Sequence, residues 1–145
     1  MTHVTIRQAR EDDLLSITAL LDGASLPTIG VTEHLKHFLV AEKKNSIVGA
    51  IGLEMYGETA LLRSAVVAAN MRGRGIGAGL YDEMVTRAKT NGVCRILLLT
   101  NTAEDYFRRR GFRRIDRENI TGPVTSSVEF ASACPSDAVC MELLM

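Results

Sequence analysis

Arg72-Gly73-Arg74-Gly75-Ile76-Gly77 lies between a short apolar run, Ala65-Val66-Val67, and a segment in which Ile76, Leu80, Met84 and Ala88 recur at helical spacing. Strand, glycine-rich loop and helix N-terminus in that order make an anion cradle. The first-turn N–H groups of a helix have no intrahelical partner and sit at the positive end of its dipole, so a phosphate satisfies them. Gly73, Gly75 and Gly77 let the backbone turn sharply and approach an anion, and Arg72 and Arg74 add charge. The Gly-Lys-Ser/Thr ending of a nucleoside-triphosphate loop is missing, as is an acidic residue at the distance where a dinucleotide fold grips ribose. The same letters suit an ordinary glycine-rich turn with solvated arginines, but the position between a strand and a long helix favours the anion site.

Towards the N-terminus, Ala60 to Val67 reads as a strand that follows strands at His37 to Glu42 and Ile47 to Met55. Tight turns at Lys43 to Ser46 and at Gly57-Glu58 make the three an antiparallel meander. Val4 to Arg7 alternates like a first strand. Asp12 and Asp13 then open a helix with Leu14, Ile17 and Leu21 on one face, closed by Gly23. Ala24 to His37 is broken by Pro27 and Gly30 and reads as surface structure beside a pocket, with a short helical piece around Thr32 to Lys36. Towards the C-terminus, a helix over Arg74 to Asn91 is stopped by Gly92. Val93 to Thr100 is so continuously apolar that both faces should be buried, as in a central strand paired in parallel with Ala60 to Val67. Thr102 is expected to cap a short helix that Gly111 stops, and Phe112 to Ile115 and Ala138 to Leu144 supply the last strands. Between them, Thr121 to Pro135 reads as a long loop.

The 145 residues, 46% of them apolar, fit one domain over 1–145 with a buried core. Seventeen basic and seventeen acidic residues cancel, so no global field recruits nucleic acid or an anionic membrane, and a small molecule is the expected partner. Met1 to Arg10 has no apolar signal core, and no run approaches the roughly 20 apolar residues of a membrane span. The expectation is a soluble, cytoplasmic protein. Cys94, Cys134 and Cys140 fit no common zinc spacing and read as free thiols. His3, His34 and His37 are too scattered to form a metal site, so no metal is expected.

The Arg-x-x-Gly-x-Gly loop after a strand resembles the pyrophosphate loop of the GNAT superfamily of acyl-CoA N-acyltransferases, and the order of elements resembles that fold along almost the whole chain. The resemblance implies an α/β (α+β) architecture: a mixed central sheet with a splayed parallel pair and helices on both faces. It also implies acetyl-CoA as co-substrate. Its pantetheine arm would run along the backbone of Ala65, Val66 and Val67, its pyrophosphate would sit on Arg72, Gly73, Arg74, Gly75, Ile76 and Gly77, and Thr100 and Phe107 would line its path. Many members carry Asn-x-x-Ala and then a Tyr four residues before a Gly-Phe pair, the hydroxyl protonating the departing thiolate. Here Thr100 stands at the Asn position before Ala103 and Phe107 at the Tyr position before Gly111-Phe112. Tyr106, displaced by one residue and hence by about 100° around a helix, is the remaining candidate acid. A thiol with an ordinary pKa near 8.5 also leaves readily as its anion without one.

A finer set of segments resembles the small arsenic-resistance N-acetyltransferase branch, akin to the acetyl-transfer domain of N-acetylglutamate synthase. The segments are Gly52-Leu53-Glu54 with Tyr56-Gly57, Leu61-Leu62-Arg63-Ser64, Leu99-Thr100 with Thr102-Ala103, Phe107 with Arg110-Gly111-Phe112, and Ser127-Val128-Glu129-Phe130 with Cys134-Pro135 and Ala138 to Met141. They imply an acceptor resembling an amino acid, acetylated on its α-amine: glutamate, or an analogue bearing phosphorus or arsenic. Pairing of two copies through the last strands, a homodimer, is within the same resemblance.

An acceptor ammonium must lose a proton before it attacks. Glu54 interrupts an apolar strand and either faces solvent or points into a cleft with its pKa raised by burial, where it would act as the base. Arg63 interrupts the next strand. Its planar cation either clamps an acceptor carboxylate, phosphinate or arsonate, or pairs at an edge with Glu54 or Glu58. Ser64 and Glu129 complete the expected acceptor site. Direct attack on acetyl-CoA is expected; Cys134 and Cys140 have no histidine at a recognisable partner position and read as structural. The run from Arg108 to Arg114 suits a helix C-terminus better than an adenosine 3′-phosphate or an RNA. Two rival functions share these residues: a non-catalytic acyl-CoA or metabolite-binding regulator, and a protein N-acetyltransferase with an open peptide groove.

Overall fold

Side-chain alternation along the strands decides the layers, because successive residues of a strand face opposite sides of its sheet. The computed structural model describes residues 3–130 and 138–145. In chain order it contains β1 (Thr5–Gln8), α1 (Leu14–Gly23), α2 (Val31–His34), β2 (Phe38–Lys43), β3 (Ser46–Tyr56), β4 (Thr59–Val67), α3 (Ile76–Thr90), β5 (Arg95–Thr100), α4 (Glu104–Arg109), β6 (Arg113–Ile115) and β7 (Val139–Leu144). The strands form one sheet in the order β1-β2-β3-β4-β5-β7-β6. All neighbours are antiparallel except β4 and β5, which run parallel.

Leu39, Ala41, Ile51, Leu53, Ala60 and Leu62 turn to one face, where Ile76, Leu80, Tyr81, Met84 and Ala88 of α3 cover them. Phe38, Val40, Ala50 and Val66 turn to the other and meet Ile17 and Leu21 of α1, Val31 and Leu35. Farther along that second face, Leu61 and Leu97 pack under Ile120, Val124, Phe130 and Cys140. Each large apolar side chain so enclosed contributes about 1.5–3 kcal/mol. The α/β architecture read from the sequence, with helices on both faces of a mixed sheet and a parallel pair at its centre, is therefore the observed one.

Two local expectations change. Helix α3 starts at Ile76 rather than Arg74, because Gly75 at its N-cap has φ 80°, a left-handed conformation outside the helix. The turn into α4 is tied by Thr100, not Thr102: the Thr100 hydroxyl accepts from the Ala103 N–H at 3.0 Å. No helix among the described residues is long and apolar enough to cross a membrane. The expected loop from Thr121 to Pro135 carries a 3-10 turn at Pro123–Ser126, and its part beyond residue 130, with Cys134, lies outside the described residues.

The sheet parts at its centre. Pairing of β4 with β5 runs from Thr59 opposite Arg95 to Leu62 opposite Leu98 and stops. On its other side β4 faces β3 with a bulge: Gly52 lies opposite Arg63 and Ala50 opposite Val66, so Ser64 and Ala65 together oppose Ile51. Ser64 takes φ 59° there. A bulge adds twist and redirects the strand, which accounts for β4 leaving β5 at this point.

Candidate active site

The bulge divides β4 into two chemistries. Beyond it, Ala65, Val66 and Val67 line a cavity of about 330 Å³ with Arg72, Gly77, Leu80 and Tyr81 on one wall and Ala103, Tyr106 and Phe107 on the other. Among the described residues, the β5-facing backbone of β4 has no strand partner along this stretch. At the mouth, Gly73 and Gly75 both have positive φ, and the first turn of α3 carries no acidic side chain. Arg72 and Arg74 are exposed, and Arg72 Nε donates to the Val67 carbonyl at 3.2 Å. Open N–H groups, two cations and an apolar trench beside an unpaired strand edge fit a ligand with a pyrophosphate and a long amide arm, as CoA has.

The expected lining residues do not all share this cavity. Ile76 turns its side chain into the core, so only its backbone belongs to the loop. Thr100, busy at the start of α4, lines a separate cavity with Leu99, Asn101 and the Ala24 to Ile29 segment. Phe107 is buried in a ring cluster with Tyr81 and Phe112 while still edging the trench. Tyr106 edges it too, 40% exposed, and the Arg110 guanidinium is sandwiched between Tyr106 and Tyr81, 4.7 and 4.6 Å from the two ring centres.

Before the bulge, the same strand is polar and enclosed. Glu54 and Arg63 are 1% and 3% exposed. They face the same side of the sheet because Gly52, two residues before Glu54, lies opposite Arg63. Arg63 Nη1 donates to Glu54 Oε2 at 2.7 Å, Nε donates to Ser64 Oγ at 3.0 Å and lies 3.1 Å from Glu129 Oε2, and Nη2 reaches the Pro27 carbonyl at 3.4 Å. Tyr56 donates to Glu54 Oε1 at 2.5 Å, and the half-buried His34 has its Nε2 3.8 Å from the same oxygen. Gly30, with φ 89°, presses against this pair: a β-carbon there would stand 2.7 Å from Arg63 Nη1.

One reading is corrected by this geometry. Glu54 does not have a raised pKa: burial alone would lift it, but hydrogen bonds from Ser127, Tyr56 and Arg63, with the charge of His34, bring it below the ordinary carboxylate value. Arg63 is enclosed, with Glu54, Ser64, Glu129 and the Pro27 carbonyl around its guanidinium, so the pairing with Glu54 is present as one of the two expected alternatives. Tyr56 is pushed up to about 12 by burial and by its bond to Glu54. Tyr56 and Ser127 lie in segments that carry the family resemblance, which implies no role for either. The signal for Tyr56 is its place two residues after Glu54 on one strand face; Ser127 and the Pro27 carbonyl reach the cluster from loops and carry no such signal. Cys140 is buried in β7, and burial pushes its thiol up, which suits packing rather than nucleophilic attack. Among the described residues no group of three or more His, Cys, Asp or Glu side chains is arranged to hold a metal ion.

Known proteins resemble this one along the same lines. The uncharacterized N-acetyltransferase CT2212 of Chlorobaculum tepidum is 26% identical across 97% of this chain and 93% of its own length. An amino-acid acetyltransferase of Mycobacterium tuberculosis is 29% identical across 82% of this chain and 74% of its own length. Among solved structures, Rv2747 from Mycobacterium tuberculosis, in complex with CoA, superposes with a TM-score of 0.82 at 22% identity, covering 97% of this chain and 99% of that one. N-acetylglutamate synthase from Neisseria gonorrhoeae, complexed with coenzyme A and N-acetyl-glutamate, gives 0.83 at 18% identity, over 99% of this chain but 35% of that one. The model of the acetyltransferase (GNAT) domain matches residues 34–114. The chain belongs to that GNAT acetyltransferase family, and it is an acyltransferase.

Proposed function

We propose that the protein is an acetyl-CoA-dependent N-acetyltransferase acting by direct attack on a small acceptor resembling an amino acid, glutamate or a phosphinate or arsonate analogue of it. The observation that carries this reading is the bulge at Ser64, which sets an apolar trench with an anion-ready mouth next to a buried guanidinium-carboxylate pair on one strand. Relatives described as amino-acid acetyltransferases support the acceptor class.

In this reading the loop Arg72 to Gly77 holds the pyrophosphate, with Arg72 giving up the Val67 carbonyl to do so. The backbone of Ala65 to Val67 holds the pantetheine arm and polarises the thioester carbonyl as negative charge develops on it. Tyr106 and Phe107 flank the sulfur end, and Tyr106 is the group nearest in kind to a general acid. Thr100 keeps α4 in place rather than touching the ligand. Arg63 orients the acceptor acid group, Ser64 and Glu129 adjoin it, and Glu54 anchors Arg63. With its pKa depressed, Glu54 is a weak base that passes the ammonium proton on through water rather than retaining it.

The test is an amine screen with acetyl-CoA, reading free thiol release over glutamate, its phosphinate and arsonate analogues, simple amines and a histone-like peptide. Turnover on glutamate or its analogues, with little on the peptide, is the expected result. Turnover confined to the peptide would replace the small-acceptor reading with a protein acetyltransferase, and an acetylated protein mass before acceptor is added would replace direct attack with a covalent route.

A further inference from the structure

The basic run that stands out in the sequence is mostly taken up by carboxylates. Arg108 pairs with Glu104 and Asp105, Arg110 with Asp82 and Arg113 with Glu142, and Arg114 reaches Glu104. Four cations elsewhere have no ion pair among the described residues: Lys43 at the end of β2, Lys44 in the turn to β3, and Arg72 and Arg74 in the loop before α3. They come from two separate loops of the chain.

The sheet brings those two loops to one place. Strand alternation puts Lys43 on the α3 face with Leu39 and Ala41. Its Nζ lies 3.8 Å from the sulfur of Met71, which is buried in the same cluster and immediately precedes Arg72. Ala41 lies opposite Gly49, and a β-carbon on Gly49 would stand 3.4 Å from Cγ2 of Ile76, the first residue of α3. From there α3 runs towards the other end of the sheet, where Met84 and Ala88 share a cavity with Phe38 and Met55. The step from Ala41 to Lys43, roughly 7 Å of strand, therefore carries the ammonium past the first turn of α3 towards the loop that precedes it.

An ammonium offers three hydrogen-bond donors, and a thioether is a weak acceptor. Lys43 is half-buried, so its charge is held next to the glycine loop on a poor partner. With the pyrophosphate of CoA on Arg72 to Gly77, the anion of that ligand still to be placed is the 3′-phosphate of its ribose. A phosphate monoester carries close to two negative charges at neutral pH and three strong acceptor oxygens.

We propose that Lys43 forms the subsite for the 3′-phosphate of CoA, its ammonium leaving the Met71 sulfur to donate to the phosphate oxygens, with the exposed Lys44 adding positive charge beside it. The assignment rests on the reading of the loop as a CoA site. It gives the turn between β2 and β3 a specificity role: selecting the 3′-phosphorylated ligand over its dephosphorylated form.

The experiment is calorimetric titration of the protein with CoA and with 3′-dephospho-CoA, for wild type and Lys43→Met. Wild type should bind CoA about tenfold more tightly than dephospho-CoA. Methionine keeps the apolar packing of the lysine stem and removes the charge, so K43M should lose about tenfold for CoA, bind dephospho-CoA as wild type does, and no longer tell the two apart. A preference for CoA that survives in folded K43M would overturn the assignment, because other cations would then carry the 3′-phosphate. Equal weakening of both ligands would overturn it too, since Lys43 would then serve the pyrophosphate or the packing. Equal binding of both ligands by wild type overturns this assignment alone, whereas binding of neither overturns the CoA reading with it, so the two failures are distinguishable. If K43M fails to fold by circular dichroism, Lys43→Gln is read on the same scale, with loss of the preference expected and its survival overturning the assignment.

Discussion

Two buried ion clusters sit on the same sheet with opposite stoichiometry. Around Arg63, one guanidinium serves two carboxylates, Glu54 and Glu129. Across β5, β7 and β6, one carboxylate, Glu142, serves two guanidiniums: Arg95 at 2.6 Å and Arg113 at 2.8 Å. In both, burial alone would raise the acid, and hydrogen bonds more than reverse it: from Ser127, Tyr56 and Arg63 at Glu54, and from Arg113 and Arg95 at Glu142. The difference lies in exposure. Arg113 is 70% exposed along its side chain and Arg95 28%, so their surplus cation reaches water at little cost. At Arg63, by contrast, Glu54, Arg63 and Glu129 are all buried. Charge at the sheet edge is ordinary solvated structure, whereas the cluster at Arg63 is closed off from water on the strand that leads into the trench.

The largest contrast should come from Arg63→Met, which leaves two buried carboxylates without their cation. A loss of about 3–5 kcal/mol in denaturant unfolding is expected, together with loss of acetyl transfer; an equal loss for Arg95→Met would erase the distinction between the clusters. Next is Glu54→Gln. Misplacing Arg63 should lower kcat/KM about 100-fold, and any rate limb near neutral pH should persist, because the Glu54 pKa lies below the ordinary value. The linkage has a definite sign. A depressed acid stabilises the fold above its unfolded pKa of 4.5, and that contribution disappears as pH falls through the folded value, so E54Q should flatten the stability loss below pH 4.5. Glu142→Gln should flatten the same acid window and cost about 1–2 kcal/mol at pH 7 while leaving kcat unchanged; a drop in kcat would join the second cluster to the reaction. Smallest is Arg113→Ala. With its side chain mostly in water, a change of about 0.5 kcal/mol or less is expected in the same melt, and a larger one would show that the surplus cation is not simply solvated.

Legibility in the sequence followed the range of the interaction. The meander, the parallel strand and helix α3 were readable because alternation, helical spacing and turn residues are local. The loop from Arg72 to Gly77 was readable for the same reason, since a strand, three glycines and a helix start act through backbone. Glu54 and Arg63 stood out as charges inside apolar strands, and adjacent strands joined by a tight turn bring them together. Their protonation and availability were not legible. Burial of Glu54 suggested a raised pKa, and only the approach of Tyr56, Ser127 and Arg63 reverses it. Thr102 reads as the cap of α4 in the sequence, and the backbone geometry gives that place to Thr100 instead.

The sequence by itself determined the order of strands and helices, the anion-ready glycine loop and the presence of a carboxylate and a guanidinium on neighbouring strands, since each follows from short-range sterics and periodicity. Only the tertiary structure decided that the bulge at Ser64 separates trench from ion cluster, and that Tyr56, Ser127 and Glu129 gather around the Glu54 and Arg63 pair. Those facts depend on strand register and on loops brought together from distant parts of the chain, and the charge state of a buried group depends on all of its neighbours at once.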